Sequence, residues 1–189
     1  MARAPKKRCP MTGLQDAWLA AWKFAAAAHR NQKIPGQDLP YVVHLGAVAM
    51  EVMVAHQQVE FKRPVLALQC ALLHDVLEDT DADESGIVLK FGPDVTAGVR
   101  ALTKHAALMK SDAMADSLQR IQLQPFEVWA VKLADRITNL GPPPPHWTET
   151  KIASYRSEAQ VILDALRESH EPLALRLADR ILRYPPSRD

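Results

Sequence analysis

The sequence predicts an all-α, multi-helix fold, and three observations support that class. Apolar residues recur at the three- and four-residue spacing of a helical face along most of the 189 residues. Val, Ile and Thr do not alternate with polar residues over any long run, so no strand is predicted. The chain contains seven glycines and 14 prolines. Most of the prolines lie where a predicted helix begins or ends, because proline is excluded from helix interiors.

Capping and turn residues set the helices predicted in the first half of the chain. Thr12, with Gln15 three residues later, forms the pattern of a capping box and begins the first helix. The prolines and glycine at 35–40 then mark a loop. A proline suits the first turn of a helix, and Gly92 suits a helix end. The helices after the first are predicted at Tyr41–Gln57, Pro64–Asp79 and Glu84–Phe91.

Prolines also place the helices of the second half. Helices are predicted at Pro93–Thr103 and Pro125–Leu140, each opened by its proline. Gly141 suits the residue after the last helical turn, and the prolines at 142–145 prevent the helix from continuing. The remaining helices are predicted at Ser111–Leu123, Thr150–Glu168 and Pro172–Tyr184.

Composition excludes several classes of protein. Hydrophobic residues make up 48% and charged residues 24% of the chain, as in ordinary globular proteins. No apolar run approaches the roughly 20 residues of a membrane-spanning helix, and the N-terminus lacks the apolar core of a secretory signal. We therefore expect a cytoplasmic protein without a membrane partner. The two cysteines lie in different contexts and predict neither a disulfide framework nor a structural zinc site.

The net charge of +1 is unevenly distributed along the chain. The first ten residues carry four basic side chains and no acidic one, which leaves the rest with a net charge of −3. A folded body of that sign binds duplex DNA poorly, so no duplex nucleic-acid partner is expected. We expect residues 1–11 to form a basic, disordered tail and residues 12–185 to form one domain.

The segment at 70–84 carries the strongest chemical signal. An apolar run ends there in His74-Asp75 and then Glu78-Asp79, and helical spacing makes His74 a neighbour of Glu78. Six carboxylates fall within ten residues of this segment, and they raise one another's pKa unless a cation lies among them. A divalent metal would relieve that repulsion. A solvated acidic turn with one histidine is the plain alternative for an isolated motif.

Two polar residues elsewhere in the chain favour the metal. His44 lies in the mostly apolar stretch LPYVVHLGAVAM, and Asp135 lies in WAVKLADRITNL. A carboxylate inside an apolar helix is costly unless it is paired or bound to a metal. With His74 and Asp75, these residues make a mixed nitrogen and oxygen ligand set that suits Mn, Fe or Zn.

Taken in order, these motifs resemble the HD-type hydrolase domain of the RelA/SpoT family. The matching motifs are PYxxH at 40–44, LLHDxxEDT at 72–80, FG at 91–92, LTK at 102–104 and VKLADRxxN at 131–139. The resemblance covers about Trp18 to Leu166, and no synthetase half follows, so it implies a stand-alone small alarmone hydrolase. The reaction it implies is removal of the 3′-pyrophosphate from ppGpp or pppGpp, which gives GDP or GTP.

The resemblance also implies a role for each matched residue. Glu78 and Asp79 match the acidic pair that orients and deprotonates the attacking water. Asn139 matches a residue that contacts the nucleotide. The residues that match the metal ligands, usually of manganese, are His44, His74, Asp75 and Asp135. Further candidates for binding the nucleotide substrate are Lys33, Tyr41, Lys132 and Tyr155.

The sequence departs from the family where the nucleotide should be held. Lys33 stands alone where the family has a basic pair, Leu45 replaces a proline, and Pro142 replaces a residue that is often a hydroxyl. A different nucleotide, such as an adenine alarmone or NADPH, therefore stays open as the substrate. A non-catalytic nucleotide sensor is the other alternative. The intact acidic pair argues against it, because pure binding does not need a general base.

Two tempting residues are discounted. The pentapeptide LADRI occurs twice, and the second copy, at 177–181, lacks the following asparagine. Its Asp179 is expected to pair with Arg183 one turn later on a solvent-exposed face. His29 shares a helical face with apolar residues, and we expect it to be a buried, hydrogen-bonded support.

Overall fold

Helices account for the regular secondary structure of the computed structural model, which describes residues 11–105 and 107–186. No strand forms within these two ranges, although Lys33 and Pro40 make an isolated antiparallel bridge. The all-α prediction is therefore confirmed. The helices are α1 (Met11–Ala28), α2 (Val42–Gln58), α3 (Pro64–Leu73), α4 (Val76–Asp79), α5 (Glu84–Phe91), α6 (Pro93–Leu102), α7 (Lys110–Gln122), α8 (Phe126–Asn139), α9 (Glu149–Leu166) and α10 (Glu171–Leu182), with a 3-10 turn at Arg167–Ser169.

Most helix ends lie close to the predicted ones because local caps form them. The Asp83 carboxylate accepts a hydrogen bond from the Gly86 N–H at 3.0 Å at the start of α5. Thr148 caps α9 in the same way. Gly92 has φ of +84°, a left-handed conformation that suits glycine, and it separates α5 from α6. The cap predicted at Thr12 lies outside the described side chains.

The main departure is a break in the third predicted helix. The sequence predicted one helix at Pro64–Asp79, whereas α3 and α4 are separated by a turn at His74 and Asp75. The Asp79 N–H still donates to the Asp75 carbonyl oxygen, so the interruption lies before α4. The Asp75 side chain makes no cap there and is held instead by the Tyr41 hydroxyl and beside His74, contacts that form only in the folded chain. That prediction was wrong at the break.

Two helices, α3 and α8, form the centre of the core. Helix α3 packs against α1, α2, α6 and α8, and seven of its ten residues are buried. Helix α8 packs against α2, α3, α9 and α10, and it is buried without interruption from Ala130 to Ile137. Polar residues on such helices need partners, because desolvation of a charge is costly. Within the described ranges, no helix is both long and apolar enough to cross a lipid bilayer.

Candidate active site

The four predicted metal ligands lie together. His44 comes from α2, His74 and Asp75 from the turn between α3 and α4, and Asp135 from α8. The Asp135 Oδ1 atom is 3.5 Å from His44 Nε2 and 3.6 Å from His74 Nε2. The Asp75 Oδ2 atom is 2.9 Å from His74 Nε2 and 3.8 Å from His44 Nε2. Residues far apart in the chain thus place two imidazole nitrogens and two carboxylates around one point.

Hydrogen bonds orient both imidazoles towards that point. His74 Nδ1 lies 2.9 Å from the carbonyl oxygen of Ala71, so Nδ1 donates and Nε2 faces the carboxylates. The Thr138 hydroxyl donates to the Asp135 carbonyl at 2.8 Å and can accept from His44 Nδ1 at 3.5 Å. His74 is 3% exposed, and its Nε2 lies 2.9 Å from Asp75 Oδ2 without the angle of a hydrogen bond, so among the described residues this buried nitrogen has no hydrogen bond.

A buried nitrogen without a hydrogen bond, beside two carboxylates, is the expected arrangement for a divalent cation. One ligand atom each from His44, His74 and Asp75 lies within 4.8 Å of the others. Imidazole and carboxylate together suit Mn, Fe or Zn, and four protein ligands leave positions for water and substrate. The residues present therefore fit a divalent metal ion.

The two buried carboxylates of the cluster formed by His44, His74, Asp75 and Asp135 also favour a bound cation. Burial would raise the pKa of Asp75, but His74 and the Tyr41 hydrogen bond outweigh it and lower the value to about 2. Burial would likewise raise the pKa of Asp135, but Lys132 and the two histidines hold it well below its usual range. Burial would lower the pKa of His74, yet the two carboxylates raise it to about 10. Without a metal, the cluster therefore acquires positive charge as a proton on His74.

Three of the predicted substrate-binding residues donate hydrogen bonds to the carboxylates of Asp75 and Asp135. The Tyr41 hydroxyl donates to Asp75, Lys132 Nζ donates to Asp135 at 2.9 Å, and Asn139 Nδ2 donates to Asp135 at 2.6 Å. Burial and the neighbouring Asp75 raise the pKa of Tyr41, so its hydroxyl remains a donor. These contacts fix the carboxylates, as outer-shell partners do in metal sites.

The acidic pair lies at the end of α4, on the wall of a cavity of about 810 Å³. Glu78 accepts hydrogen bonds from the backbone N–H of Lys104 at 2.9 Å and from its ammonium at 3.2 Å. Asp79 accepts from Gln32 Nε2 at 2.9 Å. Both side chains are exposed at this wall, so water and substrate can reach them.

A second cavity, of about 720 Å³, adjoins Asp135. Its volume is in the range of sites for nucleotide-sized ligands. The Arg136 guanidinium carbon lies 4.4 Å from the ring centroid of Tyr155 and forms part of the wall. The polar and charged wall residues are Lys104, Lys132, Asp135, Arg136, Asn139, Ser154, Tyr155 and Glu158. Apolar residues complete the wall, so it can take both a charged and an apolar part of a ligand.

Lys33 lies apart from both cavities. Its side chain is 65% exposed and pairs with Asp38 in the loop between α1 and α2. It belongs to neither cavity wall as the described residues define them. The structure therefore places ten of the eleven predicted site residues around Asp75 and Asp135, in the second cavity or on the acidic wall. Lys33 alone among them lies outside.

Sequence reasoning missed two residues that support this site. Gln32 holds Asp79, and Thr138 lies between His44 and the Asp135 carbonyl. Thr138 carried a local signal, because it comes three residues after Asp135 on the same helix. Gln32 comes three residues after His29 in the loop beyond α1, and that spacing does not point to Asp79. The expectation for His29 is confirmed, since it is 3% exposed and bonds to Gln32 at 2.6 Å.

Comparison with known proteins gives matches along most of the chain. Residues 21–163 match the HD domain family. The guanosine-3′,5′-bis(diphosphate) 3′-pyrophosphohydrolase MESH1 of Drosophila melanogaster is 32% identical over 170 residues, which cover 85% of this chain and 90% of that protein. The Homo sapiens protein of the same name is 29% identical over 160 residues, covering 82% and 87% respectively.

Solved structures agree with the sequence matches. One, described as a metazoan ortholog of SpoT that hydrolyses ppGpp, has a TM-score of 0.77 and 28% identity, and the match covers 97% of this chain and 99% of that one. A crystal structure from Listeria monocytogenes EGD-e has a TM-score of 0.59 at 20% identity over 77% of this chain and 98% of that one. The second match supports the fold alone.

Proposed function

The chain belongs to the HD domain family, and on that premise we propose that it is a metal-dependent hydrolase that removes the 3′-pyrophosphate of ppGpp or pppGpp. The products are GDP or GTP. One observation carries the proposal: the four ligand-type side chains converge in a chain whose relatives, matched over most of its length, are named for this reaction. We further propose that it acts in the cytoplasm on a free nucleotide and not on duplex nucleic acid.

We propose that His44, His74, Asp75 and Asp135 hold the divalent metal and that this metal is Mn²⁺. The nitrogen and oxygen donor set and the unpartnered His74 Nε2 support this assignment. A bound divalent ion lowers the pKa of water and offsets charge on an anionic substrate. The hydrogen bonds from Tyr41, Lys132 and Asn139 would keep the two carboxylates in place when substrate enters.

Glu78 and Asp79 are proposed to orient the attacking water and accept its proton. Both carboxylates line a cavity, and each is held by one partner, Lys104 or Gln32. Water adds to the phosphorus attached to the ribose 3′-oxygen, the bond between them breaks, and the 3′-oxygen takes up a proton. A fixed carboxylate within reach of the water serves as the general base of such a step.

The second cavity is the proposed place of the nucleotide. Asn139, Tyr155 and Lys132 lie on its wall, and Lys132 also donates to Asp135. Lys104 and Arg136 add positive charge beside a substrate that is strongly anionic. The Tyr41 hydroxyl is taken by Asp75, which supports a role in holding that carboxylate. A substrate contact of Lys33 stays a prediction, since its exposed pair with Asp38 offers it no support.

The loop that carries Lys33 also favours one other candidate, a phosphorylated nucleotide that is not a guanine alarmone. After Gln32 the loop carries one basic residue, Lys33, which is paired with Asp38. A panel of ppGpp, adenine alarmones and NADPH at equal concentration separates the two candidates. Turnover of ppGpp far below that of another member would favour the second.

Incubation of the purified protein with ppGpp and Mn²⁺, with and without excess EDTA, tests the proposed function. We expect release of GDP and pyrophosphate with Mn²⁺ and none in the chelator. Full activity in excess EDTA would contradict the metal mechanism. Tight ppGpp binding without turnover in any divalent metal would support a sensor instead.

A further inference from the structure

The loop between α1 and α2 holds two carboxylates of the site at once. At one end of the loop, Gln32 Nε2 donates to Asp79 at 2.9 Å, and at the other end the Tyr41 hydroxyl donates to Asp75. The Tyr41 N–H donates to the Gln32 carbonyl oxygen at 2.9 Å, so the two ends are bonded side by side. The loop thus connects a proposed metal ligand with a proposed general base.

His29 lies beneath both ends of this loop. Its Nδ1 is 2.6 Å from Gln32 Oε1, and its ring stacks on Tyr41 with centroids 4.9 Å apart. The side chain is 3% exposed and belongs to neither cavity wall within the described part of the chain. His29 can therefore influence the site through its neighbours, while direct contact with substrate is ruled out by its burial.

The chemistry of the groups fixes the direction of the hydrogen bonds. An ionised carboxylate only accepts, so Gln32 must present its NH₂ group to Asp79. The Gln32 amide oxygen then faces His29. Because that oxygen can only accept a hydrogen bond, His29 Nδ1 must carry a proton and donate it to the hydrogen bond. A rotated Gln32 amide would oppose oxygen to oxygen at Asp79, so the histidine selects the one amide orientation that holds the carboxylate.

We propose that His29 and Gln32 are positioning residues for the hydrolysis: His29 fixes the Gln32 amide, and Gln32 orients the Asp79 carboxylate. The inference rests on the proposed function, in which Asp79 acts on the attacking water. Asp79 is the last residue of a four-residue helix and is exposed, so its backbone alone leaves the side chain free to rotate. Loss of such an orienting partner typically costs about 10- to 100-fold in activity.

One rival explanation makes Gln32 a direct contact of the nucleotide, because Gln32 also lines the cavity of the acidic pair. The two explanations predict different kinetics. A substrate contact raises KM when it is lost, whereas a positioning residue lowers kcat with KM unchanged. His29 separates them further, since it lies outside both cavity walls.

The test measures kcat and KM for ppGpp with Mn²⁺ in Gln32→Met, His29→Phe and the double variant. Met keeps the length of the side chain without the amide, and Phe keeps the stacking on Tyr41 without the donor. We expect each single variant to lose about 10- to 100-fold in kcat with KM within about twofold. The double variant should lose about as much as one single variant, because both changes break one chain of hydrogen bonds.

Two further variants guard against a merely structural effect. His29→Asn places an amide nitrogen near the position of Nδ1, and it should recover most of the lost kcat. His56→Phe is the matched control: His56 Nδ1 accepts a hydrogen bond from the Phe61 N–H at 3.0 Å and its ring stacks on Phe61, but the described contacts of His56 include no carboxylate of the site. It should leave kcat unchanged. Thermal melts with and without Mn²⁺ check that every variant folds and binds metal.

The outcomes are separable. Unchanged kcat in His29→Phe, or a raised KM with unchanged kcat in Gln32→Met, would overturn the positioning role while the wild-type protein stays active. Failure of His29→Asn to recover activity would show that the donor is not what matters and would also overturn it. A wild-type protein that turns over no ppGpp contradicts the proposed function itself and removes this inference with it.

Discussion

The pentapeptide LADRI occurs at 133–137 on α8 and at 177–181 on α10, and the two copies have opposite environments at their aspartates. The Asp135 side chain is 8% exposed and contacts both histidines of the metal cluster as well as Lys132. The Asp179 side chain is 50% exposed, and it pairs with Arg183 at 2.8 Å. Identical local sequence therefore gives a candidate metal ligand in one helix and a surface ion pair in the other.

The apolar residues explain why both copies are helical, and the packing around them explains why only one contributes to the candidate site. The leucine and isoleucine of each copy are buried, so the pentapeptide fixes one apolar face in both helices. Helix α8 is also covered on its other faces by α2, α3 and α9, whereas α10 leaves its outer face to solvent. Burial of the aspartate thus depends on what packs around the helix and not on the five residues themselves.

The largest expected effect comes from the same substitution in the two copies. Asp135→Asn removes a proposed ligand and should lower kcat/KM for ppGpp by at least about 100-fold while weakening Mn²⁺ binding. Asp179→Asn is the matched control, because it changes the same residue in the same pentapeptide, and its activity should equal that of the wild type. Steady-state kinetics and metal titration check both. Equal activity of the two variants would remove Asp135 from the ligand set.

The next effect is a pH dependence of stability in the metal-free protein, which we expect from the cluster around Asp135 and not from the Asp179 pair. Burial lowers the pKa of His74, but Asp75 and Asp135 outweigh burial and raise that pKa from 6.5 to about 10. The proton that His74 gains on folding therefore stabilises the protein fully below pH 6.5, and this stability is lost as pH rises towards 10. We expect the free energy of unfolding in EDTA to fall by about 1 kcal/mol per pH unit between pH 7 and 9.

Urea unfolding at pH 7, 8 and 9 in EDTA measures that slope. His74→Asn should abolish it, and Asp179→Asn should retain it. Saturating Mn²⁺ should also abolish the fall, because the metal replaces the proton on the cluster. An unchanged slope in His74→Asn would assign the pH dependence to another group.

The two copies also show how far the sequence alone could go. Helical spacing, prolines and caps predicted nearly every helix, since these signals act within a few residues. The convergence of His44, His74, Asp75 and Asp135 could be predicted because charged residues in apolar stretches, such as Asp135, are rare without a partner. The break at His74 and Asp75 could not, because it depends on carboxylates that only meet in the folded chain. The Gln32 contact with Asp79 joins residues 47 apart and left no local signal for its partner.

A smaller effect is expected from the arginines that follow the two aspartates. Arg136 is 5% exposed, packs on Tyr155 and lies 3.9 Å from Glu158, whereas Arg180 belongs to neither cavity wall of the described site. Arg136→Met should release the Tyr155 ring and raise KM for ppGpp by about tenfold, which is about 1.4 kcal/mol. Arg180→Met is the control and should leave KM unchanged.

The free energy of unfolding of Arg136→Met should stay close to that of the wild type, so that a change in KM can be assigned to the cavity and not to misfolding. Two buried Arg136 nitrogens, Nε and Nη1, have no hydrogen-bond partner among the described residues, so an apolar side chain of similar length removes a desolvation cost. Glu158 keeps access to water when the arginine is replaced, because its side chain is 24% exposed. Chemical unfolding should therefore place Arg136→Met within about 1 kcal/mol of the wild type. A raised KM in a stable variant assigns the arginine to the nucleotide cavity. A large loss of stability with unchanged KM would assign it to the core.

The smallest effect belongs to the surface copy. The Asp179–Arg183 pair joins neighbours one turn apart on α10, and both side chains are at least half exposed. Water and salt screen such a pair, so a double-mutant cycle with Asp179→Asn and Arg183→Met should give a coupling free energy of about 0.3–0.5 kcal/mol. That value should fall in about 1 M salt, where the Debye length is only about 3 Å and exposed charges are strongly screened. A coupling free energy above about 1 kcal/mol that persists in salt would mean that the outer face of α10 is shielded from solvent. The difference between Asp135 and Asp179 would then come from the side chains around each aspartate and not from the burial of one and the exposure of the other.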